Sequence, residues 1–438
     1  MNAEPIVTLV SMSDRGVALC AAAARISTTP GTAHDLFLAR EGGARDQKLI
    51  AKVLSSGHRS LIEHQSFSIA LDNVSVLVEQ CLIEFRLSSF TVKSRRYVDF
   101  EQAGFFVPAD LSPACEKMYV DMVKARFLDY GRLVAHGIPL EDARFVLPYC
   151  FFSSLYLTCN ARELSHIISA MLYGPYSRFE ELRRVGELLL TQCQGVLGEA
   201  FPLDSTRAAS PALEASVAAP VSCVGRAQLL AAPQDPRALL HAALAFSNRF
   251  ENLSDADLSP LVRDARPREL EALHYTFLLE DVSLACVTHI ARHRIQSPMF
   301  EPTLRALNKN RHVLPDTVAQ NPEARRVFEN AFLENGQNAA ALREAGLATE
   351  ALSYLALSGN TVRVMLTMNA RELLHFLKLR TCERAQWEIR ALAQQMLREL
   401  RASYPELFDY FGPSCLVNGR CPEGRLSCGR PRTPLGKP

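Results

Sequence analysis

The chain has 438 residues, of which 48% are hydrophobic, and its formal net charge at pH 7 is +1. This length exceeds what one ordinary hydrophobic core fills, so two domains of roughly 200 residues are expected. The near-neutral charge excludes a global electrostatic field for nucleic acid or an anionic membrane, so any anion must be bound by a local cluster of cations.

The N-terminus and the apolar runs favour a cytoplasmic protein. Residues 1–16, MNAEPIVTLVSMSDRG, lack the basic and then apolar order of a signal peptide. No apolar run reaches the ~20 residues of a membrane helix. The twelve cysteines are spread over a large chain, which favours reduced thiols over a disulfide framework.

In chain order, the first predicted elements are a strand followed by a helix. SFSIALDNV at 66–74 alternates between apolar and polar residues, which is typical of a strand, and VSVLVEQCLIEF at 74–85 has helical spacing. SLYLTCN at 154–160 indicates a short strand that runs into a helix. Asn160 and Glu163 mark the start of that helix as a capping-box-like pair.

The segment 203–236 separates these elements from a second set. It is rich in Ala, Pro and Ser, has no helical or alternating period, and contains SPALEASVAAPVS, a composition typical of linkers. Beyond it, HYTFLLEDV predicts a strand, VSLACVTHIA a helix, and VMLTMN a strand that runs into a helix. Asn369 and Glu372 mark the start of that helix as a second capping-box-like pair.

These two sets are copies of one unit. CNARELSH at 159–166 returns as MNARELLH at 368–375, and DNVSVLVEQCLIEFR at 72–86 returns as EDVSLACVTHIARHR at 280–294, with offsets of 209 and 208 residues. We therefore predict an α/β (α+β) fold in which two tandem copies form a pseudo-dimer. The predicted domains are 1–202, a linker at 203–236, and 237–438 with a cysteine-containing tail at 412–430.

The offset aligns each copy with the other and shows which groups each one lacks. The first copy has Glu84, Phe85 and Met171 where the second has Arg292, His293 and Arg380. The second copy has Pro302, Leu304 and Ser353 where the first has Ser94, Arg96 and Arg144. Guanidinium, hydroxyl and imidazole groups are phosphate-type ligands. The complementary pattern indicates one composite site, although arginines on a helix are also typical of a solvated surface and Asn369 of a plain helix cap.

These residues resemble the flavin-dependent thymidylate synthase family, whose hallmark is Arg-His-Arg followed, after seven positions, by Ser. ARHRIQS at 291–297 carries the triplet, and SSFTVKSRRY at 88–97 carries the Ser-x-Arg-Tyr end, in different copies. Residues 369–399 are similar to the C-terminal helix region of the family, and 57–71 and 24–27 resemble earlier family elements.

The resemblance implies the site residues. Flavin contacts are expected at Ser27, His58, Ser60, Arg292, His293, Arg294, Asn369, Arg371, His375 and Arg384. The phosphate of dUMP is expected at Ser94, Arg96 and Arg144, and Arg380 is expected to address the uracil ring as the catalytic group. His289 is expected near uracil, where the family has Gln, and Val92 stands where the family has Glu.

The activity implied is the reductive methylation of dUMP to dTMP with methylenetetrahydrofolate, FAD and NADPH, at one composite site between the two units. The family is homotetrameric, so a homodimer of this chain with four units is expected, with no nucleic-acid or membrane partner. The changes at His289 and Val92 leave open another pyrimidine acceptor such as UMP. The loss of half the motif in each copy leaves open a catalytically silent nucleotide-binding regulatory protein.

Three cysteines lie among Gly and Pro in the tail, at positions 415, 421 and 428. A structural zinc ion needs four ligands, and the expected set is Cys382, Cys415, Cys421 and Cys428. Redox-sensitive free thiols and incidental surface cysteines are the alternatives. Cys81, Cys159 and Cys286 lie inside apolar segments and are expected in the core.

Overall fold

The computed structural model of the chain describes residues 3–198, 201–247, 249–250, 253–254 and 257–430. The chain separates into two compact units, Met1–Val217 with Arg326–Ala356 and Ala218–Arg325 with Leu357–Pro438. The first unit therefore holds the first copy together with a stretch of the second.

The first copy forms a four-stranded antiparallel sheet with flanking helices. Its strands are β1 (Ile6–Met12), β2 (Ser66–Ser75), β3 (Ser89–Val92) and β4 (Phe152–Asn160). Its helices are α1 (Gly16–Ala23), α2 (Ala33–Leu38), α3 (Ala44–Ser55), α4 (Val76–Ile83), α5 (Pro113–Ala135), α6 (Leu140–Ala143), α7 (Ala161–Leu172) and α8 (Glu180–Leu197). The strand order is β1-β2-β4-β3.

The second copy repeats this topology. Its strands are β5 (Val221–Cys223), β6 (Arg226–Ala231), β7 (His274–Ser283), β8 (Gln296–Phe300), β9 (Arg311–Val313) and β10 (Thr361–Asn369). Its helices are α9 (Pro236–Ala245), α10 (Ser259–Arg263), α11 (Leu284–Ala291), α12 (Thr303–Lys309), α13 (Asp316–Ala319), α14 (Pro322–Glu344), α15 (Thr349–Ser353), α16 (Ala370–Arg380), α17 (Trp387–Ser403), α18 (Pro405–Phe408) and α19 (Ser414–Asn418). The antiparallel sheet has the order β6-β7-β10-β8, and β5 pairs in parallel with β9.

One face of each sheet carries the core. Phe67 and Ile69 of β2 are fully buried, and Ser68 between them is partly exposed. Tyr275 and Phe277 of β7 are buried in the same alternating manner. The alternation follows from the two-residue period of a strand, and it confirms the predicted strands and the mixed α/β fold with two tandem copies.

Both copies enter the helix after this strand through the same irregularity. Asn73 and Asp281 have φ angles of 53° each, which is uncommon for residues other than glycine. Ser75 and Ser283 then cap α4 and α11 by accepting the backbone N–H three residues on, at 3.2 and 3.0 Å. The recurrence of these details at one offset is structural support for the duplication.

Two strands, β5 and β6, lie inside the segment 203–236, and β1 lies at a position for which the sequence pattern predicts no element. Both β1 and β6 are edge strands of their sheets. An edge strand pairs on one side only and buries little, so its sequence needs only a weak apolar pattern. Among the described helices, none has the length and apolar character that crossing a bilayer requires.

Candidate active site

The Arg-His-Arg triplet lies at the end of α11. Arg292 and Arg294 are exposed, whereas His293 between them is 4% exposed. Consecutive residues at a helix end do not share a face, so the triplet divides into two outward guanidinium groups and one inward imidazole. The outward pair suits an anionic ligand.

His293 is held between an acidic and a basic side chain of α16. Its Nδ1 lies 3.0 Å from Oε1 of Glu372, and Nε of Arg380 donates to its Nε2 at 3.0 Å. Burial, with a further contribution from the cation of Arg380, lowers the pKa of His293 to about 2. The imidazole is therefore neutral at physiological pH.

Other predicted flavin residues lie on α16 or next to one of its ends. The Asn369 side chain accepts the N–H of Glu372 at 2.9 Å and so caps the helix, and Arg371 forms an ion pair with Glu271. The remaining two, His375 and Arg384, are exposed.

The cap and the ion pair at the start of α16 have equivalents in the first copy. Asn160 caps α7 by accepting the N–H of Glu163 at 2.9 Å, and Arg162 pairs with Glu63 at 2.6 Å. Contacts that both copies retain stabilise the local fold. A flavin role for Asn369 or Arg371 would come in addition to this structural one.

The three predicted phosphate ligands lie together in the first unit, around Glu141 of α6. Arg96 contacts both carboxylate oxygens of Glu141, Nε to Oε1 at 2.9 Å and Nη2 to Oε2 at 3.2 Å. Nε of Arg144 donates to the backbone carbonyl of Glu141 at 2.9 Å, and Oγ of Ser94 accepts the backbone N–H of Arg96 at 3.3 Å. The structure thus gathers a hydroxyl and two guanidinium groups, the donor types that bind phosphate.

Arg95, between two of these ligands, points into the core and anchors their segment. Its Nη1 lies 3.0 Å from Oε2 of Glu79, in a pair whose side chains are 6% and 0% exposed, and Oγ of Ser153 donates to the same oxygen at 2.6 Å. Neither Arg95 nor Glu79 is among the predicted site residues. The offset would have found this pair, because the second copy has Thr303 and Val287 at the equivalent positions.

At the sorted positions, the copy that lacks the functional group mostly has a buried or half-buried side chain, although Pro302 is exposed. Met171 and Leu304 are 0% and 4% exposed. The carboxyl of Glu84 accepts a hydrogen bond from Nε2 of Gln80 at 3.0 Å, and burial raises its pKa to about 7. These positions therefore offer no permanent cation.

The remaining predicted residues lie on separate elements. Ser27 follows α1, while His58 and Ser60 lie at the start of a 3-10 turn, Arg59–His64, which packs on α1. All three are exposed. His289 is half-buried in the last turn of α11.

The predicted zinc site has no support in the structure. Within residues 3–430, as far as these are described, no three metal-ligating side chains converge. Cys415 lies in α19, Cys382 lies in the turn after α16, and Cys421 and Cys428 lie in the irregular segment after α19. Burial raises the pKa of Cys382, which disfavours the thiolate that a metal requires. Cys159 and Cys286 are buried at 4% and 0% exposure, as predicted, whereas Cys81 is partly exposed.

Comparison with known proteins places the sequences of both copies in one family. The family profile described as "Thymidylate synthase complementing protein" matches residues 8–197 and again 228–406. A flavin-dependent thymidylate synthase of Geobacter sulfurreducens is 36% identical over 200 residues, which cover 44% of this chain and 85% of the relative. Another, of Nitratidesulfovibrio vulgaris, is 33% identical over 233 residues, 47% of this chain and 94% of the relative.

Two solved structures are similar to about half of the chain. The UMP/dUMP methylase PolB of Streptomyces cacaoi, bound with 5-Br dUMP, is 27% identical with a TM-score of 0.40, covering 48% of this chain and 99% of PolB. Thymidylate synthase X of Helicobacter pylori, with FAD and dUMP, is 20% identical with a TM-score of 0.36, covering 45% of this chain and 99% of that one.

Proposed function

Because the chain belongs to the thymidylate synthase complementing protein family, we propose that it converts dUMP to dTMP with methylenetetrahydrofolate, FAD and NADPH. One observation carries the proposal: within each unit, the residues expected for one part of the reaction lie together. The first unit gathers the expected phosphate ligands around Glu141. In the second unit the expected catalytic group, Arg380, is hydrogen-bonded to His293 of the triplet.

The phosphate of dUMP is assigned to the first copy. A phosphomonoester is matched by guanidinium forks and a hydroxyl, which Arg96, Arg144 and Ser94 provide. Arg95 holds their segment through its buried pair with Glu79. The ligand groups therefore start from a fixed backbone, which reduces the entropy lost on binding.

The flavin is assigned mainly to the second copy. Its pyrophosphate and anionic ring fit the exposed guanidinium groups of Arg292 and Arg294, together with Arg371 in the first turn of α16, where the helix dipole also favours an anion. When bound, FAD supplies the reducing equivalents that NADPH delivers. The protein contributes binding, orientation and electrostatics.

Arg380 is assigned to the uracil ring. Reaction at C5 requires electron density in the pyrimidine, and a cation at the N3/O4 edge stabilises the negative charge that develops there. A guanidinium suits this role because it stays protonated and presents paired planar donors.

We further propose that one set of residues, drawn from both copies, serves the reaction. The support comes from equivalent positions in the two copies. Arg292 and Arg380 of the second copy correspond to Glu84 and Met171 of the first, and Ser94 and Arg96 of the first correspond to Pro302 and Leu304 of the second. A set made from Glu84, Met171, Pro302 and Leu304 would lack cations and is expected to be inactive.

The test is product formation from dUMP with methylenetetrahydrofolate, NADPH and FAD. Arg380→Ala should lower kcat by about 10²- to 10³-fold, as expected for loss of a group that stabilises transition-state charge, without unfolding the protein. The matched control is Met171→Leu, because Met171 is fully buried and Leu preserves the volume; it should leave turnover unchanged.

Three outcomes would change the proposal. Equal losses at positions 380 and 171 would contradict a single set of residues. Product from UMP in preference to dUMP would identify the alternative acceptor that His289 and Val92 suggest. Flavin binding without turnover of either nucleotide would favour a regulatory protein.

A further inference from the structure

The imidazole of His293 connects the two ends of α16. Glu372 lies in the first turn of the helix and Arg380 in its last, yet both side chains reach the same ring, at 3.0 Å from Nδ1 and 3.0 Å from Nε2. Phe376 lies between them, with its ring centroid 4.8 Å from that of His293. Glu372, Phe376 and Arg380 follow one another at intervals of four residues and so lie on one face of the helix. The imidazole packs along this face.

The hydrogen bonds allow one assignment of protons. A guanidinium N–H can only donate, so the Nε2 atom that faces Arg380 must be the unprotonated ring nitrogen. The ring proton therefore lies on Nδ1 and is donated to the carboxylate of Glu372. An imidazolium would instead direct a second N–H at the guanidinium, and the low pKa of His293 agrees with its absence.

The first copy shows what remains when this chain of hydrogen bonds is lost. Glu163 is the equivalent of Glu372, but Phe85 replaces the histidine and Met171 the arginine. Glu163 instead accepts the backbone N–H of Leu87 at 3.3 Å and lies 3.5 Å from Nδ1 of His166 on its own helix. The acidic residue is thus present in both copies, and only in the second does it contact an imidazole that also binds an arginine.

We propose that Glu372 is a positioning residue: by accepting the Nδ1 proton of His293, it keeps Nε2 as the acceptor that orients the guanidinium of Arg380. Because Nε and the terminal nitrogens of a guanidinium are coplanar, fixing Nε fixes the direction of the donors that face a substrate. The inference rests on the proposed function, in which Arg380 acts on the uracil ring, and adds to it a group that does not touch substrate.

The first experiment requires no turnover. In the full chain labelled with ¹⁵N-histidine, with His293→Phe to assign the signal, His293 should show a protonated Nδ1 and an unprotonated Nε2, unchanged from about pH 6 to about pH 8. An Nε2–H tautomer or an imidazolium in the wild type would overturn the proposal. In Glu372→Leu the preference for Nδ1–H should weaken, and an unchanged tautomer would also overturn it.

The second experiment measures kinetics with dUMP. Glu372→Leu should lower kcat by about 10- to 100-fold, the order expected when a reacting group is misplaced by about 1 Å, and should change the KM for dUMP much less. Glu372→Gln, which keeps an acceptor oxygen, should recover part of kcat. The matched control is Glu163→Leu, which removes the equivalent carboxylate and should leave kcat at the wild-type value, with thermal unfolding followed for each variant.

The two experiments separate the two ideas. A wild type without thymidylate synthesis would refute the proposed function, while the tautomer measurement would still decide whether Glu372 fixes His293. An active wild type with equal kcat values for Glu372→Leu and Glu163→Leu would refute the positioning role alone.

Discussion

Glu84 occupies the position that Arg292 has in the second copy. Its side chain is half-buried, and this burial shifts the pKa of its carboxyl. Burial raises the pKa of its carboxyl to about 7, from an ordinary value of 4.5. A carboxyl with a raised pKa in the folded state stabilises the fold fully below the unfolded pKa, and that stability is lost as the pH rises through the folded pKa. The wild type should therefore lose stability at Glu84 between about pH 5 and about pH 8.

The variant Glu84→Gln keeps the neutral form at every pH and removes this loss. Relative to wild type, its free energy of unfolding should rise by on the order of 2 kcal/mol between about pH 5 and about pH 8, measured by chemical denaturation. Glu187→Gln is the control, because it removes a carboxylate whose side chain is 50% exposed. A constant difference for Glu84→Gln would show that this carboxyl does not titrate in the range.

At the scale of residues, the sequence predicts which side chains are functional better than it predicts where those side chains point. The Arg-His-Arg triplet and Arg380 are found from the offset, since the other copy lacks them. Their geometry is not, because the inward turn of His293 depends on α16, which lies about 80 residues further along the chain. Glu372 is identified from the sequence only as a cap partner, because both copies contain it and the offset registers differences alone.

At the scale of elements, the segment after β3 depends on a buried ion pair that the first copy alone possesses. Breaking such a pair by removing one partner typically costs about 3–5 kcal/mol, because the other charge remains buried, whereas replacing both partners is far less harmful. Arg95→Thr alone should therefore destabilise the protein strongly. The double variant Arg95→Thr with Glu79→Val, the residues of the second copy, should recover much of the loss.

The measurement is a double-mutant cycle of unfolding free energies, together with phosphate affinity. Glu79→Val alone supplies the fourth corner, and both single variants should be less stable than the double. The double variant should bind phosphate more weakly than the wild type, because the Arg95–Glu79 pair no longer fixes the segment that carries Ser94 and Arg96. Additive losses would show that Arg95 and Glu79 act independently.

The alternating apolar pattern of the sequence predicts the strands inside each sheet, but it does not predict the edge strands β1 and β6. β2, β7, β4 and β10 lie where alternation predicts strands, because each lies inside its sheet and buries one face. β1 and β6 escape prediction since each gains its hydrogen bonds from a strand over 40 residues away and needs little apolar pattern of its own.

At the scale of the whole molecule, the compact units do not coincide with the sequence copies. Residues 326–356 of the second copy belong to the first unit, where Arg126 of α5, 1% exposed, contacts Glu334 of α14 at 2.7 Å. Asn335, at the position equivalent to Arg126, donates to the carbonyl of Leu355 at 3.0 Å in the same unit. The first unit therefore takes part of its core and a charge partner from beyond the linker.

A fragment that ends at residue 217 should consequently be unstable, although it contains the whole first copy. It leaves Arg126 with Asp129 as an acidic partner, at 2.9 Å, but without Glu334 and without the carbonyl of Ala331, to which Nη1 donates. It also removes buried apolar residues of α14, such as Phe328 and Phe332, from the first unit. Because the side chain of Glu334 is 55% exposed, the larger cost is the lost burial of apolar side chains. Full burial of one Phe contributes about 1.5–3 kcal/mol, and an ordinary domain has only ~5–15 kcal/mol of stability. The matched control joins residues 1–217 to 326–356 through a flexible linker, and it should unfold cooperatively in a thermal scan. If the short fragment melted at the same temperature as this control, the second copy would contribute nothing to the first unit, and the two copies would be separable domains.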